Sequence, residues 1–379
     1  MHERPVVVFS GGGTGGHLYP ALALADAVRR ERPEVRAVFV GAHRGVEARI
    51  LPARGEEHHL LPVEGLSRRT LGGAIHTGRA LLRSLGRIDG LFRTLRPEAV
   101  VVTGGYAGGP AGIMAGFMGI PLVLQEQNAF PGKTTRLLSL WARRVHTAFP
   151  DAAAHLPRTA RKRTAVSGNP VRPPSGLAPV EARRLLGLDP TGPVLLVMGG
   201  SQGSYALNQV VSQALASVAR GESVRPEGLQ VYWSTGPAHF DHVTAALAAA
   251  GRPAWVHARA YIDDMATALA AADFALSRGG AMTTAELLLE GVPSILVPLP
   301  TAAADHQSHN ARALEKAGAA VVAPEADLTG ASLWDHIQAL AVDGDLRRRM
   351  SAAARAQSRP DAAGTIARDV LRVIDGGRS

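Results

Sequence analysis

Short runs rich in Val, Ile and Leu alternate along the whole chain with Ala, Leu and Arg segments at helical spacing. That alternation leaves few ways to fold. Apolar runs without polar alternation need cover on both faces, so they belong in parallel sheets flanked by helices. They predict strands over Val6–Phe9, Ala37–Val40, Val100–Thr103 and Leu122–Leu124. Four more follow over Val194–Met198, Gln230–Ser234, Phe274–Ser277 and Ser294–Val297. Between the two sets, "SGNPVRPPSGLAP" (Ser167–Pro179) carries four prolines and two glycines that break both periodicities. The expectation is an α/β chain of two doubly wound, Rossmann-like domains. One apolar stretch, Ala99–Gln125, is uncharged and long enough to span a bilayer, but its seven glycines and two prolines read as strand, turn, helix and strand.

Composition narrows the chemistry. The absence of cysteine excludes disulfides, thiolate metal sites and thiol nucleophiles. A net charge of +9 suits phosphorylated ligands or an anionic membrane face. Nucleic acid is disfavoured, because the basic residues, all arginines but for Lys133, Lys162 and Lys316, are scattered along the chain and aromatics make up only 4%. The start "MHERPVVVFS" lacks a long apolar segment and cleavage site, which points to a cytoplasmic protein.

Glycine turns at strand ends let backbone N–H groups and the positive end of a helix meet an anion. The first turn lies in "VVVFSGGGTGGHLYPALALADAV", where Gly11, Gly13 and Gly16 satisfy the dinucleotide spacing by letter. A bound NAD needs an acidic residue at the end of the second strand, where Gly41 and Ala42 stand; Arg44 leaves room for NADP. A triphosphate loop needs Gly-Lys-Ser/Thr, and here Gly-His-Leu follows. Further turns are "TGGYAGGPAG", "GGSQG" with Ser201 and Gln202, and "SRGGAMTTAELLLEGVP" with Glu286 near a helix start. Glu126, Gln127 and Asn128 end a strand, where either chemistry or an Asx turn fits. Gln307 and Asn310 share one helix face, whereas Asp305, His306 and His309 lack the spacing of a metal site.

"GGGTGGHLYPALALA", "TGGYAGGPAG", "EQNAFPGKTTRLL", "SGNPVR", "MGGSQGSYALN", "YIDDM", "SRGGAMTTAELLLEGVPSILVPLP", "DHQSHNA" and "RPDAA" together resemble the MurG family of bacterial glycosyltransferases, family 28. The resemblance runs from about residue 6 to residue 363. It implies a GT-B fold, with residues 1–168 as an acceptor domain, 169–358 as a donor domain, and a helix over 359–379 returning to the first. It implies inverting transfer of N-acetylglucosamine from UDP-GlcNAc to the 4-hydroxyl of the muramic sugar in undecaprenyl-pyrophosphoryl-MurNAc-pentapeptide. Lipid I thereby becomes lipid II, in cell-wall biogenesis, cell shape and division.

The implied donor contacts are Thr14, Gly15, Gly16, Asn128, Arg172, Ser201, Gln202, Ile262, Met282, Thr283, Glu286, Gln307 and Asn310. Among these, Glu286 takes the ribose hydroxyls, Ile262 the uracil, Ser201 and Met282–Thr283 the diphosphate, and Gln307 and Asn128 the sugar. Gly13, Gly104, Gly105 and Tyr106 are implied acceptor contacts, with Thr14 and His17 on the acceptor side. An inverting displacement needs one base; His17 is the natural candidate and Glu126 its competitor. No metal or other cofactor is expected, the helix end taking the part of a cation. The resemblance also implies peripheral attachment to the cytoplasmic face of an anionic membrane. Leu66–Pro97 holds seven arginines against one aspartate, with Arg79, Arg83 and Arg87 beside the stripe Leu71, Ile75, Leu82, Leu85 and Ile88. Two departures stand out: Ser204–Tyr205 where the family commonly has Ala-Arg, and Thr301 where histidine is common.

Overall fold

The computed structural model describes residues 4–63, 71–200 and 202–376, without side chains over 71–78. It forms two compact units, Met1–Val171 with Asp361–Ser379, and Arg172–Pro360. The first unit extends three residues beyond the expected boundary because Asn169 is held in it, bonded to the side chain of Gln125 and the carbonyl of Gln127. At the other end Ser358 bonds back to the carbonyl of Arg355, so the return begins at Asp361 rather than 359.

The first sheet has seven parallel strands: β1 (Val6–Gly11), β2 (Arg36–Ala42), β3 (His58–Leu61), β4 (Ala99–Gly104), β5 (Leu122–Glu126), β6 (Arg144–Thr147) and β7 (Thr164–Val166). Its order is β3-β2-β1-β4-β5-β6-β7. The second unit repeats the scheme with β8 (Val194–Met198), β9 (Gln230–Ser234), β10 (Val256–Arg259), β11 (Phe274–Ser277), β12 (Ser294–Leu296) and β13 (Ala320–Val322), in the order β10-β9-β8-β11-β12-β13. Each order reverses once, between β1 and β4 and between β8 and β11. At such a reversal the connections leave in opposite directions and open a ligand crevice beyond the strand ends. The Ala99–Gln125 stretch forms β4, the helix Gly105–Phe117 and β5. Among the described residues no helix is long and apolar enough to cross a membrane.

β1, β4, β5 and β8 are buried at every position, which their unbroken apolar runs require. On one face of the first sheet, Phe9, Phe39 and Val28 pack with Ile366, Val370 and Ile374 of the C-terminal helix Ala362–Asp375. Burying each such side chain contributes roughly 1.5–3 kcal/mol, enough to hold the helix to the domain. Arg32 reinforces it with a two-pronged bond to Asp375 at 2.8 and 2.9 Å. On the other face, Ile88 and Phe92 of the helix Leu71–Leu95 pack with Ala107, Ala111 and Ala115. The expected basic stripe therefore divides: Ile88 is core and Leu85 half-buried, while Leu81 and Leu82 face solvent beside Arg79, Arg83 and Arg87. Residues 66–70 and the side chains of Leu71 and Ile75 lie outside the description.

His146 of β6 bonds through Nδ1 to Ser167 at 2.8 Å, and its Nε2 stands 3.7 Å from Asp369 of the C-terminal helix. Burial pushes its pKa down to about 4, against the attraction of Asp369. The folded state therefore resists a proton that the unfolded chain accepts near 6.5. Stability should fall as pH drops from about 6.5 toward 4, by about 3 kcal/mol at the acid end. Denaturant melts of the wild type and of His146→Gln across that range check this: the variant should lose most of the slope.

Candidate active site

The four glycine turns singled out above fall at the two sheet reversals, and close backbone approach explains their composition. In the first domain the turn after β1 (Gly12–Thr14) meets the turn after β4. A β-carbon on Gly105 would stand 2.2 Å from the carbonyl oxygen of Gly12, and one on Gly13 2.5 Å from the ring of Tyr106. Gly104 and Gly105 both have positive φ, 98° and 74°. Only glycine fits such a crossing. It brings Gly13, Gly104, Gly105, Tyr106 and His17 together. Thr14 is the N-cap of the helix Gly15–Glu31 with no side-chain capping bond, and Thr14 and Gly16 are exposed.

His17 is half-buried at the start of this helix, with Nδ1 3.0 Å from Gln127 Oε1 and 3.1 Å from the carbonyl of Thr103. The Thr103 hydroxyl returns a 2.7 Å bond to the carbonyl of His17. Glu126 is placed differently. One carboxylate oxygen accepts from the backbone N–H of Asn128 at 3.0 Å and from its side chain at 3.2 Å, and the other accepts from the N–H of Gly132 at 3.0 Å. The group shapes its own loop, the local-turn alternative for this segment.

Glu47, not foreseen, corrects one expectation. Fully buried, its carboxylate accepts the N–H of Gly13 at 2.9 and 3.0 Å and that of Ala42 at 2.8 Å. The Gly13 N–H, expected to admit an acceptor phosphate, is thus already taken by an internal anion. Ala42 ends β2, where an NAD site needs an acid; the acid arrives from Glu47 instead and is spent on backbone. Its only sequence signal is an acidic residue in a short helix's first turn, which alone marks no function.

In the second domain the turn after β8 packs on the end of β9: a β-carbon on Gly203 would stand 2.0 Å from the carbonyl of Thr235. Ser201 lies outside the described residues, and Gln202 is exposed. Buried Arg278, also not foreseen, crosses beneath this turn, donating to Ser204 Oγ at 2.7 Å and to Val297 O at 3.2 Å while pairing with Glu325 at 2.5 Å. The hydroxyl at Ser204 thus gives the guanidinium an acceptor that alanine lacks. Tyr205 is exposed, its ring 6.0 Å from that of His239.

The turn after β11 leads through Gly280, an N-cap without a side chain, into the helix Ala281–Glu290, whose first turn carries Met282 and Thr283. The backbone of Gln307 passes so close that a β-carbon on Gly279 would meet its carbonyl at 2.5 Å. Gln307 accepts the N–H of Leu299 at 3.0 Å, and buried Asn310 donates to the carbonyl of Gly279 at 3.1 Å. Asn310 thereby braces the turn. Ile262 is buried just after β10, and Arg172 is exposed. Glu286 lies one turn into the helix, its pKa pushed up to about 7 by burial against a partly offsetting attraction from Arg172. A half-buried carboxyl kept this far from its ordinary range is typical of ligand sites.

Two family descriptions match the chain: the glycosyltransferase family 28 N-terminal domain over residues 7–147 and its C-terminal domain over 194–366. A UDP-N-acetylglucosamine–N-acetylmuramyl-(pentapeptide) pyrophosphoryl-undecaprenol N-acetylglucosamine transferase from Salinibacter ruber is 42% identical over 98% of both chains. One of the same name from Desulfitobacterium hafniense is 38% identical over 96% of this chain and 98% of its own. The crystal structure of Acinetobacter baumannii MurG superposes with a TM-score of 0.76 at 27% identity, covering 97% of this chain and 99% of that one. The chain belongs to the MurG family. The calicheamicin glycosyltransferase CalG4, at 19% identity and a TM-score of 0.64, shares the fold.

The raised pKa of Glu286 makes ionisation costly in the folded state, so the second domain should lose stability as pH rises from about 4.5 to 7. Glu286→Gln removes that cost. Its melting midpoint should exceed that of the wild type at about pH 8 and match it near pH 4, as measured by calorimetry without ligand.

Proposed function

We propose that the chain transfers N-acetylglucosamine from UDP-N-acetylglucosamine to the 4-hydroxyl of the muramic sugar in the undecaprenyl-pyrophosphoryl pentapeptide acceptor, lipid I, giving lipid II with inversion at the anomeric carbon. The observation that carries this reading is the near-full-length identity with relatives bearing that activity in their names. The local geometry supports it, since an oriented histidine stands among the glycine turns of the first domain and an uncapped helix start leads to Glu286 in the second.

The acceptor belongs to the first domain. His17 is the base: its Nε2 takes the proton of the 4-hydroxyl as that oxygen bonds to the anomeric carbon and the bond to the diphosphate of UDP breaks. Glu126 is unsuited to this, because both its oxygens already hold the Asn128–Gly132 loop. Thr14, Gly15 and Gly16, expected as donor contacts, stand at the start of the 17-residue helix, whose positive end meets the acceptor pyrophosphate instead, since the Gly13 N–H is taken by Glu47.

UDP belongs to the second domain. Glu286 accepts the ribose hydroxyls, Ile262 meets the uracil through its backbone, and Arg172 stands near Glu286. Ser201, Gln202, Met282 and Thr283 serve the diphosphate. The helix Ala281–Glu290 stabilises the negative charge that develops on departing UDP, so no divalent metal is required. Gln307 and Asn128 serve the sugar hydroxyls, and Asn310 acts through the Gly279 turn. The other UDP-sugar transferases of this architecture share this donor logic but not the acceptor.

Transfer of labelled N-acetylglucosamine to lipid I should proceed undiminished in EDTA, and His17→Ala should lower kcat by about 10²–10⁴-fold with the acceptor KM little changed. Activity lost in EDTA and restored by Mg²⁺ or Mn²⁺ overturns metal independence. A His17→Ala variant altered mainly in acceptor KM reduces His17 to a binding contact.

The acceptor lipid stays in its bilayer, so the enzyme works as a peripheral protein on the cytoplasmic face of the membrane. Exposed Leu81, Leu82 and Phe117 with Arg79, Arg83 and Arg87 supply the apolar and basic face this requires. Co-sedimentation should favour vesicles containing anionic phospholipid over neutral ones and weaken with salt. Equal binding to both removes the assignment.

A further inference from the structure

A backbone carbonyl under the first domain's glycine turns sets the direction of a buried chain of amides that ends on His17. A carbonyl oxygen only accepts, so Asn169, bonded to the carbonyl of Gln127 at 3.1 Å, presents Nδ2 to it. The Oδ1 of Asn169 then faces Gln125, which donates through Nε2 at 2.9 Å. Gln125 Oε1 is left toward Gln127, whose Nε2 donates to it, to the carbonyl of Thr103 at 2.7 Å and to the carbonyl of Gln125 at 3.0 Å. Turning the Gln127 amide over would set its oxygen against these acceptors. Its Oε1 therefore faces His17 Nδ1, at 3.0 Å, and the Thr103 carbonyl lies 3.1 Å from the same nitrogen. A ring nitrogen between two acceptors carries the hydrogen.

We infer that Gln127, Gln125 and Asn169 are positioning residues for the transfer reaction, holding His17 as the Nδ1–H tautomer so that Nε2 bears the lone pair before substrate arrives. All three side chains are buried, and each amide is fixed by the next, so water cannot reset the order. Free histidine favours the opposite tautomer, and without this chain a large share of His17 would meet the acceptor hydroxyl with the wrong nitrogen protonated. Its far end is Asn169, two residues before the chain leaves the first unit. The catalytic consequence rests on the reading of His17 as base; the tautomer does not.

Long-range proton–nitrogen spectra of protein labelled with nitrogen-15 in histidine, with the His17 signals assigned by their loss in His17→Ala, test the tautomer directly. The full-length wild type should show protonated Nδ1 and unprotonated Nε2. Gln127→Met should shift the signals toward Nε2–H and lower kcat by at least about tenfold with both KM values little changed. A wild-type His17 protonated at Nε2, or a Gln127→Met protein with unaltered tautomer and kcat, overturns the inference. Because the wild-type spectrum decides the first point, misfolding of a variant leaves the inference open to refutation. Wild-type Nδ1–H together with normal turnover in His17→Ala upholds the assigned tautomer and removes the base reading alone.

Discussion

The first domain's site depends on one close approach, the backbone of Gly105 against the carbonyl of Gly12. A β-carbon there would stand 2.2 Å from an oxygen, well inside any tolerable contact, so a side chain would drive the ends of β1 and β4 apart. The same crossing puts the imidazole of His17 beside Gly104 and Gly105 and brings its Nδ1 to the Thr103 carbonyl. Glu47 holds the turn from below by binding two backbone N–H groups with a buried carboxylate, and the Tyr106 ring packs against Gly13. The Gly13 N–H at the middle of the turn is thereby satisfied internally. A buried charge of this kind survives only where donors surround it.

The two domains use one topology in opposite ways. In the first, internal carboxylates occupy the strand-end turns, Glu47 at Gly13 and Glu126 at Asn128 and Gly132. In the second, a buried cation, Arg278, supports the turn after β8, and the helix after β11 opens on a glycine with no capping side chain. A positive setting suits a diphosphate. In the first turn the Gly13 N–H, at the centre of the dinucleotide spacing of Gly11, Gly13 and Gly16, is already taken by Glu47. The spacing records the close packing of strand, turn and helix, which both uses require.

What was legible in the sequence follows from burial. The central strands β1, β4, β8 and β11 are covered on both faces, so their apolar runs are unbroken and their limits were recovered to within two residues. The strands not foreseen, β3, β6, β7, β10 and β13, all lie at or next to a sheet edge. There the unbroken apolar run gives way to short mixtures such as "RVHT" and "TAV". The glycine turns were legible because a close approach leaves no other residue possible. Their supports were not. Glu47, Arg278 and the Gln125–Asn169 pair are separated in sequence from what they hold, and only folding brings them together.

The same distinction bears on the two residues proposed for the base. By residue type His17 was the natural candidate and Glu126, at the end of β5, its competitor. Their partners separate them. Glu126 is met by N–H donors on both oxygens, and a carboxylate that gives up such bonds to take a proton leaves buried donors unsatisfied, at about 1–3 kcal/mol each. His17 meets acceptors on one nitrogen only, which leaves the lone pair of the other unengaged by these partners. Proton transfer to its Nε2 breaks no internal bond, because Nδ1 keeps its hydrogen and both acceptors throughout. With His17 as the proposed base, the site would reach its charged state without rearranging anything beneath it.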